Sequence, residues 1–304
     1  MSDTQRFSMG WLPDYPDIRD HHIDHDAVSN SLKTKGQRDS IKAMLKQIGV
    51  QDASKLDPPA TMDLREWCSP IENQGALGSC TANAGVGLVE YFERRAFGNY
   101  TDCSRLFLYK TTRSFLKWTG DTGAFLRSTM GAMTLFGVPP EQYWPYDIAK
   151  FELEPTPFCY AFAQNFQAIS YYRLDPSGVS KQSVLKQIKA NLSAGLPAMF
   201  GFTVYNSYTQ ANTSGKIPYP VASDKVVGGH AVVAIGYDDH KKIKNTGPGA
   251  TETIGALMIR NSWGTSWGDA GYGWLPYDYV TKGLATDWWS LLKNEWVDMK
   301  VFKT

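Results

Sequence analysis

Four residues of this 304-residue chain have side chains that thiol-based acyl transfer requires, and each occurs in its own local context. Cys80 can act as the nucleophile, and His230 can accept a proton and return it. Asn261 can orient an imidazole ring, and the side-chain amide of Gln74 can donate to an oxyanion. We therefore predict that Gln74, Cys80, His230 and Asn261 form one catalytic site.

The segment that follows Ser79 is expected to activate the Cys80 thiol, whose ordinary pKa of about 8.5 leaves little thiolate at neutral pH. Apolar residues recur there at helical spacing, two arginines occupy the predicted last turn, and Gly98 can end the helix. Cys80 then lies at a helix N-terminus, where unpaired N–H groups and the helix dipole favour an anion. Together with His230 as an imidazolium, this predicts a resting thiolate–imidazolium pair.

Gln74 precedes Cys80 by six residues. The loop between them contains Gly75 and Gly78, which allow a sharp backbone turn, so the amide can return beside the sulfur. With the backbone N–H of Cys80, the Gln74 amide would bind the oxyanion of a tetrahedral intermediate.

His230 and Asn261 flank short apolar runs that are typical of buried strands. His230 precedes the run 231–235, and Asn261 follows the run 256–259. A lone histidine in such a place is more often a core residue, but the other histidines lie in polar segments, so His230 is the preferred base. The polar stretch 238–253, with its glycines and proline, is predicted to be a loop inserted between the two strands.

With the order of these four residues and the Asn-Ser-Trp-Gly motif at 261–264, the chain from about Pro59 onward resembles the papain-like cysteine peptidases. The resemblance implies an α+β fold of two lobes with the active site in the cleft between them. A helical lobe of residues about 70–165 would carry the cysteine. An antiparallel, β-barrel-like lobe of residues about 166–304 would carry the histidine and the asparagine.

The resemblance also implies roles for residues around the catalytic group. Trp263 would shield the histidine–asparagine hydrogen bond from water, and Gly123 would clamp the backbone of the substrate. Gly228 and Gly229 would border the pocket for the residue before the cleaved one. Two such small residues leave room for a bulky apolar side chain.

The cysteines depart from the pattern of the secreted relatives. Leu77 stands where those relatives have a disulfide cysteine, and Thr81 replaces their aromatic residue after the nucleophile. Cys68, Cys103 and Cys159 remain, with no metal-binding spacing. A reducing compartment is the simplest setting, although one bridge that includes Cys103 stays open.

The composition excludes several other classes of function. A net charge of +1 gives no basis for binding nucleic acid or an anionic membrane, and no apolar run approaches the ~20 residues of a membrane span. The first residues lack the apolar core of a secretory signal, so we expect a cytoplasmic protein.

Residues 1–57 precede the point at which the mature chains of papain relatives begin, matched here by residues 59–65. By that resemblance they form a propeptide-like segment before a peptidase domain of residues 58–304. Helical spacing of apolar residues predicts one helix over about 37–47. The segment could inhibit by covering the cleft, or it could wrap the fold as scaffold. Its aspartates and histidines between 20 and 26 could also bind a metal, but such clusters are more commonly solvated, so we predict none.

The predicted function is hydrolysis of peptide bonds in peptide or protein substrates, through a thioester acyl-enzyme on Cys80 and without a cofactor. Two alternatives stay open. An amine acceptor in place of water would give a transpeptidase or amidase that uses the same site. A permanently filled cleft would give a non-catalytic binding module, and the intact set of four residues argues against it.

Overall fold

The computed structural model describes residues 8–167 and 170–302. Its helices are α1 (Asn30–Thr34), α2 (Ile41–Ile48), α3 (Cys80–Phe97), α4 (Arg105–Phe115), α5 (Leu126–Phe136), α6 (Pro157–Ala163), α7 (Lys181–Ser193), α8 (Tyr277–Thr281) and α9 (Asn294–Asp298). Its strands are β1 (Thr61–Asp63), β2 (Ser170–Arg173), β3 (Ala198–Tyr205), β4 (Val226–Lys244), β5 (Glu252–Arg260), β6 (Tyr272–Pro276) and β7 (Ala285–Leu292).

The strands form one antiparallel sheet, which confirms the predicted α+β class. The strand order is β2-β7-β3-β4-β5-β6, and β1 pairs with β4 beside this path. Among the described residues the two end strands β2 and β6 do not pair, so the sheet of the barrel-like lobe is open rather than closed into a barrel. The Trp-rich tail of the chain lies inside the sheet as β7, between β2 and β3.

Helix α3 packs against β4 and joins the helices to the sheet. It ends as the sequence predicts, with Gly98 in the left-handed conformation at φ 75°. At Gly87 an added Cβ would lie 1.8 Å from Nη1 of Arg260, so only glycine admits this guanidinium against the helix. Arg260 Nη2 donates to Ser69 Oγ at 2.8 Å and to the carbonyl of Pro70 at 2.6 Å, which ties the segment before α3 to the end of β5 and holds the guanidinium in place.

The N-terminal region divides into residues 8–12, which lie in the cleft and which we call the strap, and a helix that lies in the core. Helix α2 begins after Ser40, whose hydroxyl accepts from the Ala43 N–H, and it buries one whole face in the main core. The buried residues of that face are Ile41, Met44, Leu45 and Ile48. The helix predicted in this region is therefore present, and it supports the fold. No helix in the described part of the chain has both the length and the apolar character needed to cross a bilayer.

The stretch 238–253 is not the inserted loop that its polar composition predicts. Strand β4 continues to Lys244 and β5 begins at Glu252, and the two pair as a hairpin in which Ile243 lies opposite Thr253. Ile243 and Thr253 are buried while most of their neighbours are exposed. An exposed hairpin needs only this alternation of buried and exposed residues. Because its exposed face carries charged residues, the segment has the polar composition of a loop.

Candidate active site

Cys80 is the first residue of α3, and it is fully buried where the helix meets the sheet. The backbone N–H of Ala231 donates to its Sγ at 3.4 Å. Because Ala231 follows His230 in β4, this contact brings the strand of the predicted base against the N-terminus of the helix that carries the predicted nucleophile.

His230 and Asn261 form the pair that the sequence predicts. His230 Nε2 and Asn261 Oδ1 are 2.8 Å apart, and the His230 ring stacks on Trp263 with 4.4 Å between ring centroids. The hydrogen bond between the two side chains is thus shielded from water, since His230 is fully buried and Asn261 nearly so. The other ring nitrogen, His230 Nδ1, is buried and makes no hydrogen bond with any described residue. It is the ring atom that remains for proton exchange.

The Gln74 amide is held in one orientation by its neighbours. Ser262 Oγ donates to Gln74 Oε1 at 2.6 Å, so the amide nitrogen faces the other way. Gln74 Nε2 donates to the carbonyl of Leu77 at 2.9 Å and to the carbonyl of Ser8 at 3.2 Å. The predicted oxyanion donor therefore already binds a backbone carbonyl oxygen, which belongs to the N-terminal region.

The strap, residues 8–12, lies in the cleft. Ala124 rather than Gly123 pairs with the strap. The Ala124 N–H donates to the Gly10 carbonyl at 2.8 Å, and the Leu12 N–H donates to the Ala124 carbonyl at 3.1 Å. Gly123 is needed for close approach, because a Cβ there would lie 2.2 Å from the Gly10 oxygen. The backbone contacts predicted for Gly123 are thus made, in the case of the strap, by the next residue, Ala124.

Gly228 and Gly229 border the cleft as predicted, and the strap lies against both. The Trp11 N–H donates to the Gly229 carbonyl at 3.1 Å, and a Cβ on Gly228 would lie 2.7 Å from the sulfur of Met9. The Trp11 side chain is buried behind this edge and donates from Nε1 to Asp287 Oδ2 at 3.1 Å. The pocket expected to be apolar therefore ends in a carboxylate.

Comparison with known proteins agrees with this arrangement. Residues 58–290 match the family model described as papain family cysteine protease. The chain belongs to the papain family of cysteine proteases. It is therefore a cysteine peptidase, a hydrolase whose substrates are peptides or proteins.

Three relatives illustrate the similarity. An uncharacterised peptidase C1-like protein of Acanthamoeba polyphaga mimivirus is 31% identical over 295 residues, which cover 94% of this chain and 88% of that protein. Xylellain, a cysteine protease from Xylella fastidiosa, has 30% identity and a TM-score of 0.69, covering 96% of this chain and 98% of its own. A Carica candamarcensis cysteine protease in complex with E-64 shares the fold at a TM-score of 0.55 and 22% identity, covering 77% of this chain and 99% of its own.

The protonation of the peptidase's site differs from the resting ion pair that the sequence predicts. Burial raises the pKa of Cys80 to about 12, although backbone N–H groups, including those of Ala231 and Gly10, act in the opposite direction. Burial also lowers the pKa of His230 to about 4, against the hydrogen bond that the ring donates to Asn261, which raises the pKa. With the strap in the cleft and water excluded, the favoured species are a neutral thiol and a neutral imidazole.

Sequence reasoning missed two residues that support the cleft. Asp121 accepts from the Gly78 N–H at 3.0 Å and from the Tyr109 hydroxyl at 2.5 Å, and that hydroxyl accepts from the Gly123 N–H at 3.1 Å. Asp121 and Tyr109 thus tie the loop before Cys80 to the wall formed by Gly123. No motif marks them, because their partners are brought together only by the packing of α4 against the loop.

The remaining cysteines and acidic residues have structural roles. All four cysteines lie in the described part of the chain, and all are buried with free thiols, so no bridge that includes Cys103 is present. Asp20, which the sequence grouped with three histidines, instead accepts from Arg127 at 2.7 Å and lies 3.4 Å from Arg173. No group of three potential metal ligands is assembled among the described residues.

Proposed function

We propose that this cysteine peptidase is latent as folded, with a competent catalytic site that the strap holds closed. In catalysis, His230 Nδ1 takes the Cys80 thiol proton, and Sγ attacks the carbonyl carbon of the scissile bond. The Gln74 amide and the Cys80 N–H bind the oxyanion. His230 then gives its proton to the leaving amine as the C–N bond breaks. His230 next deprotonates a water molecule, whose oxygen attacks the thioester carbonyl carbon. The C–S bond breaks, the carboxylic acid product leaves and the proton returns to Sγ.

The geometry of His230 is the observation that carries the proposed roles. Its Nε2 is committed to Asn261 Oδ1 at 2.8 Å, which leaves Nδ1 on the side of the ring available to Cys80. The Ser262 hydroxyl donates to Gln74 Oε1 at 2.6 Å, which leaves the amide nitrogen of Gln74 to bind the oxyanion. These contacts need no rearrangement once the cleft is vacant.

The contacts of the strap support inhibition rather than cleavage. The backbone N–H of Gly10 lies close enough to Cys80 Sγ to lower the pKa of the thiol, so the strap reaches the sulfur itself. The Ser8 carbonyl accepts from Gln74 Nε2 and from Trp263 Nε1, each at 3.2 Å. The strap thus fills the site at the sulfur and at the proposed oxyanion donor, where a substrate would have to bind.

The boundary of the moving part follows from burial. The family match begins at residue 58, which supports treating residues 1–57 as a separate N-terminal segment. Helix α2 nevertheless contributes Met44 and Leu45 to the core with no exposed surface, so deleting the whole segment would open the core. We propose that the strap leaves the cleft while α2 stays in place.

The experiment uses the full chain and a variant that cannot close, Gly10→Ala, whose added Cβ would lie 1.8 Å from the carbonyl oxygen of Gly78. Both are treated with an epoxysuccinyl inhibitor, and casein digests are analysed by mass spectrometry. We expect labelling at Cys80 and new hydrolytic termini for Gly10→Ala, both much weaker for the wild type. Cys80→Ala in the Gly10→Ala background is the matched control and should show neither.

The same digests separate the alternatives. Products joined to an added amine would indicate a transpeptidase or amidase. A folded Gly10→Ala chain that is neither labelled nor cleaves casein would contradict the peptidase mechanism and favour the non-catalytic binding module.

A further inference from the structure

One phenolic hydroxyl joins the two ends of the loop that precedes Cys80. Tyr146 lies on the segment after α5, and its hydroxyl donates to the backbone carbonyl of Gln74 at 3.0 Å. Because that bond uses the single phenolic proton, the Ser79 hydroxyl donates to Tyr146 Oη, at 2.5 Å. The Asn83 side-chain amide in turn donates to Ser79 Oγ at 3.1 Å and to the Ser79 carbonyl at 3.0 Å. A chain of hydrogen bonds thus runs from the first turn of α3, through Tyr146, to Gln74.

The phenol is held in place by an arginine that is itself paired. The Arg105 guanidinium lies over the Tyr146 ring, 4.2 Å from its centroid. Its nitrogens lie 2.7 Å from Glu72 Oε2 and 3.0 Å from Glu141 Oε1, and the Tyr146 backbone N–H donates to the same Glu141 oxygen at 2.8 Å. Burial raises the pKa of Tyr146, so the hydroxyl keeps its proton and remains a donor.

Gln74 is also bound to the sheet. Its backbone N–H donates to the Ser262 carbonyl at 2.9 Å, and its Oε1 accepts from the Ser262 hydroxyl at 2.6 Å. Its carbonyl accepts a second, longer bond of 3.4 Å from the Leu77 N–H, which lies within the loop itself. The other proposed oxyanion donor, the Cys80 N–H, belongs to α3. Tyr146 therefore joins the residue that bears one donor to the helix that bears the other.

We propose that Tyr146 is a positioning residue, whose hydroxyl sets the place of Gln74 relative to the Cys80 N–H so that both bind the same oxyanion. The inference rests on the proposed function. An oxyanion donor is effective only within about 2.7–3.1 Å of the position that the oxyanion will occupy, and a donor already in place costs no reorganisation. Without the hydroxyl, Gln74 keeps its bonds to Ser262 and loses its bond to the chain that ends in α3.

The test compares two reactions of Cys80 in the opened chain, the full chain carrying Gly10→Ala, with and without Tyr146→Phe. With the p-nitrophenyl ester of N-benzyloxycarbonylglycine, Sγ attacks the carbonyl carbon, an oxyanion forms and p-nitrophenolate leaves. With iodoacetamide, Sγ displaces iodide from a saturated carbon, and no oxyanion forms. We expect Tyr146→Phe to slow acylation about tenfold, a part of the roughly 10²–10³ that a donor itself contributes, and to change alkylation by less than about twofold.

Two further comparisons show whether the effect passes through Gln74. In the Gln74→Ala background, Tyr146→Phe should slow acylation by less than about threefold, because the donor that it positions is absent. With peptide substrates the loss in Tyr146→Phe should lie in kcat, with KM changed by less than about twofold, since the bound ground state carries no oxyanion. Tyr143→Phe is the matched control, because it removes a hydroxyl from the same segment where the side chain is 39% exposed and packs on Phe158. It should change neither rate.

Equal slowing of acylation and alkylation by Tyr146→Phe would overturn the proposal, because it would show a general displacement of Cys80. Unchanged acylation, or an undiminished loss in the Gln74→Ala background, would overturn it as well. Failure of the proposed function gives a different result. If the opened chain is acylated but hydrolyses no peptide, the peptidase mechanism fails, and slower acylation in Tyr146→Phe still supports the role of Tyr146. If Cys80 is alkylated but never acylated, there is no oxyanion site and both proposals fail.

Discussion

Gly10→Ala should open the cleft, because the strap passes the loop before the nucleophile with no room for a single methyl group. A Cβ on Gly10 would lie 1.8 Å from the carbonyl oxygen of Gly78, 2.5 Å from its carbon and 2.9 Å from its Cα. All three are backbone atoms, and Gly78 is tied to Asp121 through its N–H. The strap cannot shift the other way, because its Gly10 carbonyl lies against Gly123.

The size of the effect follows from the protonation of Cys80. With the strap in place the pKa of Cys80 is about 12, whereas an ordinary thiol has a pKa of about 8.5. The raised pKa means that the closed state holds the thiol proton more tightly. Closure is therefore fully stabilised below the ordinary pKa and loses this stabilisation as the pH rises through 8.5 towards 12. At pH 7 the open state has about 10³-fold more thiolate, and more if the helix N-terminus lowers its pKa.

The assay is the rate of Cys80 alkylation by iodoacetamide, read by peptide mass mapping at pH 7. We expect Gly10→Ala to react about 10²- to 10³-fold faster than the wild type, with unchanged slow labelling of Cys103, which is fully buried in both. Tyr15→Ala is the matched control, since Tyr15 belongs to the same region but its side chain is 88% exposed. Equal Cys80 rates in wild type and a well-folded Gly10→Ala would refute the conclusion that the strap shields the thiol.

Three further outcomes are expected of this chain. In the opened chain, Gln74→Ala should lower kcat by roughly 10²–10³ with little change in KM, because the amide acts mainly on transition-state charge; an unchanged kcat would remove it from the mechanism. Asn261→Ala should lower kcat less than His230→Ala does, since it orients a catalytic group, and the reverse order in the same assay would contradict its role. Gly87→Ala should destabilise by about 1–3 kcal/mol in urea unfolding, because its methyl meets the pinned guanidinium of β5 at 1.8 Å. Gly131→Ala in α5, where the nearest atom would be 3.6 Å away, should cause no such loss.

Local sequence signals predicted the helix that begins at Cys80, the helix near residues 37–47 and the residues of the candidate site. The helix from Cys80 to Phe97 has apolar residues at helical spacing and a glycine at its end, and both signals lie within the element itself. His230 and Asn261 could be paired because each follows or precedes a short apolar run that forms a buried strand. Where a feature depends on neighbours within a few residues, the pattern was sufficient.

The features that the sequence did not predict depend on residues far apart in the chain. The neutral state of Cys80 and His230 results from burial among segments that are far apart in the chain, since the two residues are themselves 150 positions apart. The contact of Asp287 with Trp11 joins residues 276 positions apart. The open sheet likewise depends on which strands fail to meet at its ends, and no local pattern encodes that.

The strap is difficult to recognise in sequence because nearly all of its contacts use the backbone. Its hydrogen bonds to Gln74, Ala124 and Gly229 use carbonyl and N–H groups that every residue but proline has. Trp11 is the side chain that anchors it, since its indole is buried and its Nε1 donates to the buried carboxylate of Asp287. On the proposed function, a change at Asp287 that removes the acceptor of Trp11 Nε1 should therefore loosen the strap and weaken latency.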